Sequence, residues 1–282
     1  MVVRMKTQFK VIGFDLDGTL VNSLPDLALS VNSALADFGL PQAPEELVLT
    51  WIGNGAPVLI ARALEWAKEQ TGKDFSDAEM EQVKERFNVY YAENLCNVSR
   101  LYPNVKKTLE TLKAHGYTLA VVTNKPTRHV QPVLAAFGID HLFSEMLGGQ
   151  SLPAIKPHPG PLYYLCGKFG VEPRQVLFVG DSRNDILAAH SAGCPVVGLT
   201  YGYNYNIPIA ESNPDWVLDD FAKLLEIFFF IKKEKGGKKN PPHFFLKPPT
   251  KSTPIYVVRV LSVHCLFVFV DRIELSLVFL FR

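Results

Sequence analysis

Five short apolar runs, each closing on a polar residue or a glycine, constrain this chain more than any other feature. They lie at residues 10–15, 117–124, 145–149, 175–181 and 194–200. Their hydrophobic residues are nearly continuous rather than alternating, as in strands buried on both faces of a parallel sheet. Segments of helical character separate the later runs, at roughly 104–115, 127–137, 159–169 and 183–192. Gly116, Gly138, Gly170 and Gly193 stand close behind them, where helix C-caps are expected. Strands alternating with helices predict an α/β fold, here a doubly wound, Rossmann-like parallel sheet with right-handed crossovers.

One stretch breaks the alternation. Between residues 24 and 99 there are helical patterns and no convincing strand. Ser23-Leu24-Pro25-Asp26 has the form of a capping box, with Pro25 tolerated in the first turn. Leu24, Ala28, Val31, Leu35 and Phe38 then follow helical spacing, and Gly39 closes the segment. A second helix is expected over about 55–70. A third should start at Ser76, with Glu79 at the reciprocal capping position and Met80, Val83, Phe87 and Tyr90 behind it. An all-helical insertion after the first strand of an α/β core is expected to be a separate cap domain. The expected organisation is therefore a discontinuous core, 1–23 and 100–227, around a helical cap, 24–99.

The residues suited to chemistry stand at the ends of the apolar runs. Asp15-Leu16-Asp17-Gly18-Thr19-Leu20 follows the first. Open α/β sheets bind ligands at the carboxyl ends of their strands, and neighbouring carboxylates there suit a hard cation such as Mg2+. Two close carboxylates can also divide their roles, one ionised as nucleophile and the other driven toward its protonated form. Asp and Gly are common in ordinary turns, but this run directly behind a buried strand is much rarer than either residue alone. Thr123 and Asn124 end the second run and could donate hydrogen bonds to phosphoryl oxygens, although Thr-Asn also often ends a strand. Lys156, before Pro157, could present an ammonium to a phosphate and to Asp15, although most lysines are solvated. Asp181, at the end of the fourth run, would complete a metal site. Asp185, one helical turn later, could orient Lys156 or a metal-bound water, or could simply complement a helix dipole.

Taken singly, three of these four signals are ambiguous. Their common placement at strand ends, and their order, is what makes them specific. Over residues 10–200 the set resembles the four signature motifs of the haloacid dehalogenase superfamily, and the helical insertion resembles the small α-helical cap of that superfamily's first cap class. The resemblance implies that Asp15 attacks phosphorus to form an aspartyl-phosphate. Asp17 would protonate the leaving oxygen and then activate water. It also implies Mg2+ held by Asp15, the Asp17 backbone carbonyl and Asp181, with Thr123, Asn124 and Lys156 on the phosphoryl oxygens. Haloacid dehalogenases need only the first carboxylate, so Asp17 argues for phosphoryl transfer.

Within the insertion, Gly53-Asn54-Gly55 is expected to form a tight loop whose amides approach a small anion, although a plain interhelical turn reads the same way. That loop, with Arg62 in the helix behind it, is similar to the cap loop of the bacterial phosphoglycolate phosphatase family. The opening of the first cap helix and the segment 214–218 are similar to it as well. The resemblance implies hydrolysis of 2-phosphoglycolate, a small double anion, to glycolate. Sugar-phosphate mutases and broad-specificity phosphatases of the same superfamily share both aspartates and stay open as alternatives. So does a non-catalytic phosphate-binding or partner-binding scaffold, which loss of Asp15, Asp17 or Asp181 would have favoured.

Charge narrows the partners. The 282 residues carry a net charge of +1, but residues 231–282 hold ten Lys/Arg against three Asp/Glu, leaving 19 against 25 in 1–230. An acidic body lacks the cationic contacts that nucleic-acid binding needs. Cys96, Cys166, Cys194 and Cys265 are scattered without a CxxC pair, which points away from a disulfide framework or a zinc site and toward a reducing, cytoplasmic setting. The basic and apolar tail, 231–282, has no motif and no uninterrupted span near the ~20 residues a membrane helix needs. It is expected to be disordered or read from a shifted frame, and no membrane association is expected of the body.

Overall fold

The computed structural model describes residues 2–4 and 9–231, so the expectations for the tail beyond residue 231 lie outside the described residues. In chain order, β1 (Val2–Arg4), β2 (Val11–Phe14) and the two-residue β3 (Val21–Asn22) come first. Four helices follow: α1 (Leu24–Asp37), α2 (Glu45–Leu49), α3 (Ala56–Thr71) and α4 (Asp77–Glu93). The chain then runs through β4 (Arg100–Leu101), α5 (Val105–Ala114), β5 (Thr118–Val122), α6 (Thr127–Ala136) and β6 (Glu145–Leu147). Next come α7 (Gly160–Phe169), β7 (Val176–Gly180), α8 (Arg183–Ala192), β8 (Val196–Leu199) and β9 (Trp216–Leu218). It closes with α9 (Leu224–Phe228) and β10 (Phe229–Ile231).

Six strands form one parallel sheet in the order β6-β5-β2-β7-β8-β9. The α/β class expected from the sequence is therefore found. Every residue of β2, β7 and β8 is buried, which is why their sequences show no alternation. Alternate side chains nonetheless divide between two cores. Ile12, Phe14, Leu119, Val121, Leu177 and Val179 pack under α5, α6 and α9. Val11, Ala120, Val122, Val176 and Phe178 face α7 and α8 on the other side. Strand order reverses at β2: β5 and β6 extend the sheet one way, β7 to β9 the other. Such a reversal opens a crevice at the carboxyl ends of the central strands, and Asp15, Thr123 and Asp181 follow those strands directly.

The insertion between β3 and β4 has a hydrophobic core of its own, built by Val31, Leu35, Leu59, Ile60, Ala63, Leu64, Val83, Phe87 and others. Ser76 caps α4 in the expected reciprocal box with Glu79. The box expected at Ser23 does not form. The Ser23 hydroxyl donates instead to Asp17 Oδ1 at 2.7 Å. Asp26, fully buried, accepts from the Val98 and Ser99 amides at 2.9 Å each and from the Ser99 hydroxyl at 2.5 Å. Both residues are recruited by groups outside the helix start, Asp26 by backbone more than 70 residues away, which a local motif cannot reveal. Asp26 thus ties the entry of the insertion to its exit, beside the antiparallel pair β3–β4. Replacing it with alanine strands three donors, two of them buried, and charge-assisted hydrogen bonds contribute about 1.5–3 kcal/mol each without adding fully. Urea unfolding of Asp26→Ala is expected to show a loss of about 3 kcal/mol. A loss under about 1 kcal/mol would mean the stem does not depend on this clip.

Candidate active site

Asp15 lies one residue beyond β2, and its own amide still pairs with Val179 of β7. Its Oδ1 accepts from the Leu16 amide at 2.7 Å and from Lys156 Nζ at 2.9 Å. Its Oδ2 has no hydrogen-bond partner among the described residues, and Asp15 lines a cavity of about 50 Å³. One oxygen is thus fixed and the other is left for a ligand. The turn that follows needs Gly18: its φ is +84°, and a Cβ there would stand 2.3 Å from Asp181 Oδ2.

Lys156 is 2 % exposed and sits between two carboxylates, with Nζ 2.9 Å from Asp15 and 2.7 Å from Asp185. Burial opposes its charge, but the two carboxylates outweigh burial and hold its pKa above the usual lysine value. Asp185 serves two ends. Its Oδ1 holds Lys156, while its Oδ2 accepts from the amide and hydroxyl of Ser182, which caps α8. Asp185 thus contacts both Lys156 and the N-terminus of α8. Asp181 accepts from the Thr19 hydroxyl and the Tyr203 amide, at 2.6 Å each.

One carboxylate oxygen each from Asp15, Asp181 and Asp185 lie within 4.8 Å of one another. Burial, with Asp185 adding, pushes Asp15 up from the usual 3.8 to about 6 despite Lys156. Burial also raises Asp181, with Asp185 and Asp15 next in effect. A buried, mutually repelling set of hard oxygen donors is what a divalent cation relieves, so these residues fit one.

Asp17 does not act on Asp15 as the sequence reading anticipated. Its carboxylate turns to Ser23 and to Lys125, whose Nζ lies 2.9 Å from Oδ1 and 3.2 Å from Oδ2. The charges acting on Asp15 are those of Lys156 and Asp185. The Thr123 hydroxyl accepts from the Lys125 amide at 3.2 Å, which leaves its own proton to donate into the cavity.

Three of the residues singled out in sequence have other work here. The Asn124 side-chain amide donates to Gly53 O at 3.0 Å and to Lys156 O at 2.8 Å, and its Oδ1 accepts from the Lys156 amide at 3.0 Å. Both of its side-chain protons are committed, so it positions Lys156 and the 53–55 loop and is no free phosphoryl donor. Arg62 donates to Trp51 O and Asn54 Oδ1, at 2.9 and 3.3 Å. Asn54 Oδ1 also accepts from the Tyr205 hydroxyl at 2.7 Å. Neither Arg62 nor Asn54 lines the cavity, whereas Gly53 and Gly55 do. At Gly55 the φ of +82° and a Cβ position only 3.1 Å from Asn124 O explain the need for glycine.

With this geometry in view, residues 12–199 match the family of haloacid dehalogenase-like hydrolases. The chain belongs to that family. It is a hydrolase, and its similarity to curated relatives is high. It is 86% identical to phosphoglycolate phosphatase of Haemophilus influenzae (strain 86-028NP) over 223 residues, covering 79% of this chain and 100% of the relative. Phosphoglycolate phosphatase of Pasteurella multocida (strain Pm70) is 80% identical over 78% of this chain and 99% of its own. The crystal structure of a predicted phosphoglycolate phosphatase from Haemophilus somnus 129pt is 74% identical. It aligns with a TM-score of 0.78 over 79% of this chain and 99% of that one.

Two elements of this hydrolase's site escaped the sequence reading. Lys125 is 4 % exposed, salt-bridged to Asp17 and hydrogen-bonded to the Tyr91 hydroxyl of α4. Its one available signal was position, directly behind Thr123-Asn124 at a strand end. The loop after β8 is the other. Tyr201, Tyr203 and Tyr205 send their hydroxyls to Thr19 O, Asn22 Oδ1 and Asn54 Oδ1, in two separate parts of the chain. Among the described residues no helix is long and apolar enough to cross a membrane.

Proposed function

We propose that this hydrolase cleaves a small phosphomonoester, 2-phosphoglycolate, to glycolate and phosphate through an aspartyl-phosphate on Asp15. The observation that carries the reading is the state of Asp15: Oδ1 is fixed by Leu16 and Lys156, while Oδ2 has no such partner and Asp15 lines a cavity of about 50 Å³. Sites for drug-sized ligands measure roughly 300–1,000 Å³, so a cavity this small favours a ligand of few heavy atoms. The 86% identity to a phosphoglycolate phosphatase supports the same substrate.

In this reading Asp15 Oδ2 attacks phosphorus in line with the leaving glycolate oxygen. Asp17 gives that oxygen a proton and later takes one from the water that hydrolyses the intermediate. The Thr123 hydroxyl and the Lys156 ammonium hold the phosphoryl oxygens, and Asp185 and Asn124 hold Lys156 in place. Mg2+, held by Asp15, the Asp17 carbonyl and Asp181, would supply positive charge against the transferring phosphoryl group. Four carboxylates and two ammonium groups leave these side chains net negative, so a substrate with two anionic groups needs that charge. The helical insertion, 24–99, acts as the cap that excludes water, and Gly53 and Gly55 form its face toward the ligand. Work on a small anionic metabolite fits a cytoplasmic protein.

The test is phosphate release with Mg2+ from 2-phosphoglycolate, β-glucose 1-phosphate, a nucleoside monophosphate and pyrophosphate. A kcat/KM for 2-phosphoglycolate at least about 100-fold above the others is expected, since a cavity that leaves buried polar groups unpaired with the wrong ligand discriminates strongly. Comparable rates on all four would overturn the substrate while leaving the phosphatase chemistry standing. No release from any of them would sink both.

A further inference from the structure

The phosphoryl-transfer machinery accounts for Asp15, Asp17, Thr123, Lys156, Asp181 and Asp185, and it leaves Lys125 unexplained. A lysine at 4 % exposure is costly to bury, so its partners have to hold it for a reason. Nζ donates to Asp17 and to the Tyr91 hydroxyl, and it also lies 4.7 Å from the centre of the Tyr91 ring. An ammonium has three protons, and the two Asp17 oxygens and the Tyr91 hydroxyl take all three, so an anion in the cavity that Lys125 lines would displace the longer contact, that to Asp17 Oδ2 at 3.2 Å.

The rest of that lining decides what the ammonium is for. Among the described residues lining the cavity, Lys125 is the one cation. Leu27, Ile52, Leu59 and Phe87 are apolar, and Asp15 and Asp17 repel anions. His129 also lines it, but burial, with Arg128 and then Lys125 nearby, pushes its pKa down from 6.5 to about 4. Its Nε2 accepts from Arg128 Nε at 3.1 Å, so at neutral pH it is an uncharged ring. Lys156, held by Asp15 and Asp185, is already assigned to the phosphoryl group, and Arg62 is bonded to Trp51 and Asn54.

We infer that Lys125 receives the carboxylate of the substrate and is the residue that selects phosphorylated acids over phosphorylated alcohols. This rests on the proposed function and deepens it. In 2-phosphoglycolate a single methylene and the ester oxygen separate the two anionic groups, and in the site Lys125 and Asp15 line the same small cavity, with Lys125 held on Asp17. A carboxylate arriving at Nζ competes with Asp17 for the same ammonium. Binding would therefore loosen the Lys125–Asp17 pair and free Asp17 for its proton transfers, a coupling that a substrate lacking the acid cannot provide. Tyr91, on α4, keeps Nζ in place during the exchange, so the insertion contributes to the same selection.

The experiment compares kcat/KM for 2-phosphoglycolate with that for 2-hydroxyethyl phosphate, in which an uncharged hydroxymethyl group replaces the carboxylate, in the Mg2+-loaded full chain. Wild type, Lys125→Met and Lys125→Arg are measured. Lys125→Met is expected to lower the preference for the acid by about 10- to 100-fold, the range of one charge-assisted hydrogen bond, chiefly through KM. Lys125→Arg should recover part of it, because it keeps the charge. Calorimetric binding of 3-phosphonopropionate against its amide, which bypasses the proton-transfer steps, should show the same loss of discrimination. It also tests the lysine should turnover of Lys125→Met be too slow to measure. If both substrates fall by one common factor and the preference survives, Lys125 serves Asp17 alone and the inference fails, while the substrate assignment stands. A wild type with no preference for the acid overturns the substrate assignment and the inference together.

Discussion

Asp15→Asn should abolish turnover and, in metal-free protein at pH 8, melt several degrees above the wild type. The loss of turnover, at least about 10⁴-fold, follows from removing the nucleophile of a concerted set. The gain in stability follows from electrostatics. Burial foremost, and Asp185 after it, raise the Asp15 carboxyl from 3.8 to about 6 against the pull of Lys156. A carboxyl whose pKa rises on folding favours the folded state fully below about pH 4 and loses that advantage as pH climbs through about 6. Above that, holding the ionised form costs about 3 kcal/mol, at 1.36 kcal/mol per unit. Asparagine keeps the shape and never ionises, so it escapes the cost. The two melting curves, recorded with EDTA, should meet near pH 4, separate through pH 6 and run parallel above it. Added Mg2+ should then raise the wild type more than the variant, because a cation bound to the folded site is stabilising in proportion to its affinity. Curves that stay parallel from pH 4 to 8 would show that Asp15 sits unstrained among its neighbours.

The same cluster shows which parts of this protein are legible in its sequence. Strands β2, β5, β7 and β8 were readable because burial on both faces writes itself as a continuous apolar run. The alignment of Asp15, Thr123 and Asp181 was readable because each directly follows such a run. Strand β9 has three residues, all partly exposed, and no period long enough to detect. The ribbon β1–β10 joins residues more than 220 positions apart. Side-chain allegiance was the least legible. Ser23 and Asp26 have the spacing of a capping box, yet Asp17 takes one and the 98–99 backbone takes the other. Asn124 has the chemistry of a phosphate ligand, yet the backbone of Lys156 and Gly53 uses it up. Lys125 reads as one more surface lysine because its partners, Asp17 and Tyr91, lie 108 and 34 residues away. For Ser23, Asp26 and Asn124 local spacing named the residue and tertiary packing chose its partner; for Lys125 only the packing reveals it.

Lys156→Met should be the most destabilising single change in the site. The methionine fills most of the space, but it removes the one cation between Asp15 and Asp185 and leaves three carboxylates within 4.8 Å of one another. Breaking a buried ion pair by deleting one member typically costs about 3–5 kcal/mol, because the remaining charge keeps its desolvation penalty without its partner. Here two charges are orphaned, so the upper end of that range is expected at pH 8. The cost should shrink toward pH 5, as Asp15 and Asp181, both raised by burial, take up protons and lose their repulsion. Turnover should fall by at least about 10³-fold even where the variant is folded, since the ammonium both holds the nucleophile and faces the developing phosphoryl charge. Denaturant unfolding at pH 5 and pH 8, with activity measured on the folded fraction, separates the two effects. A variant as stable as the wild type at pH 8 would mean that the carboxylates share protons without help. A stable and active one would remove Lys156 from the chemistry altogether and leave Thr123, His129 and Lys125 to carry the positive and donor side of the site.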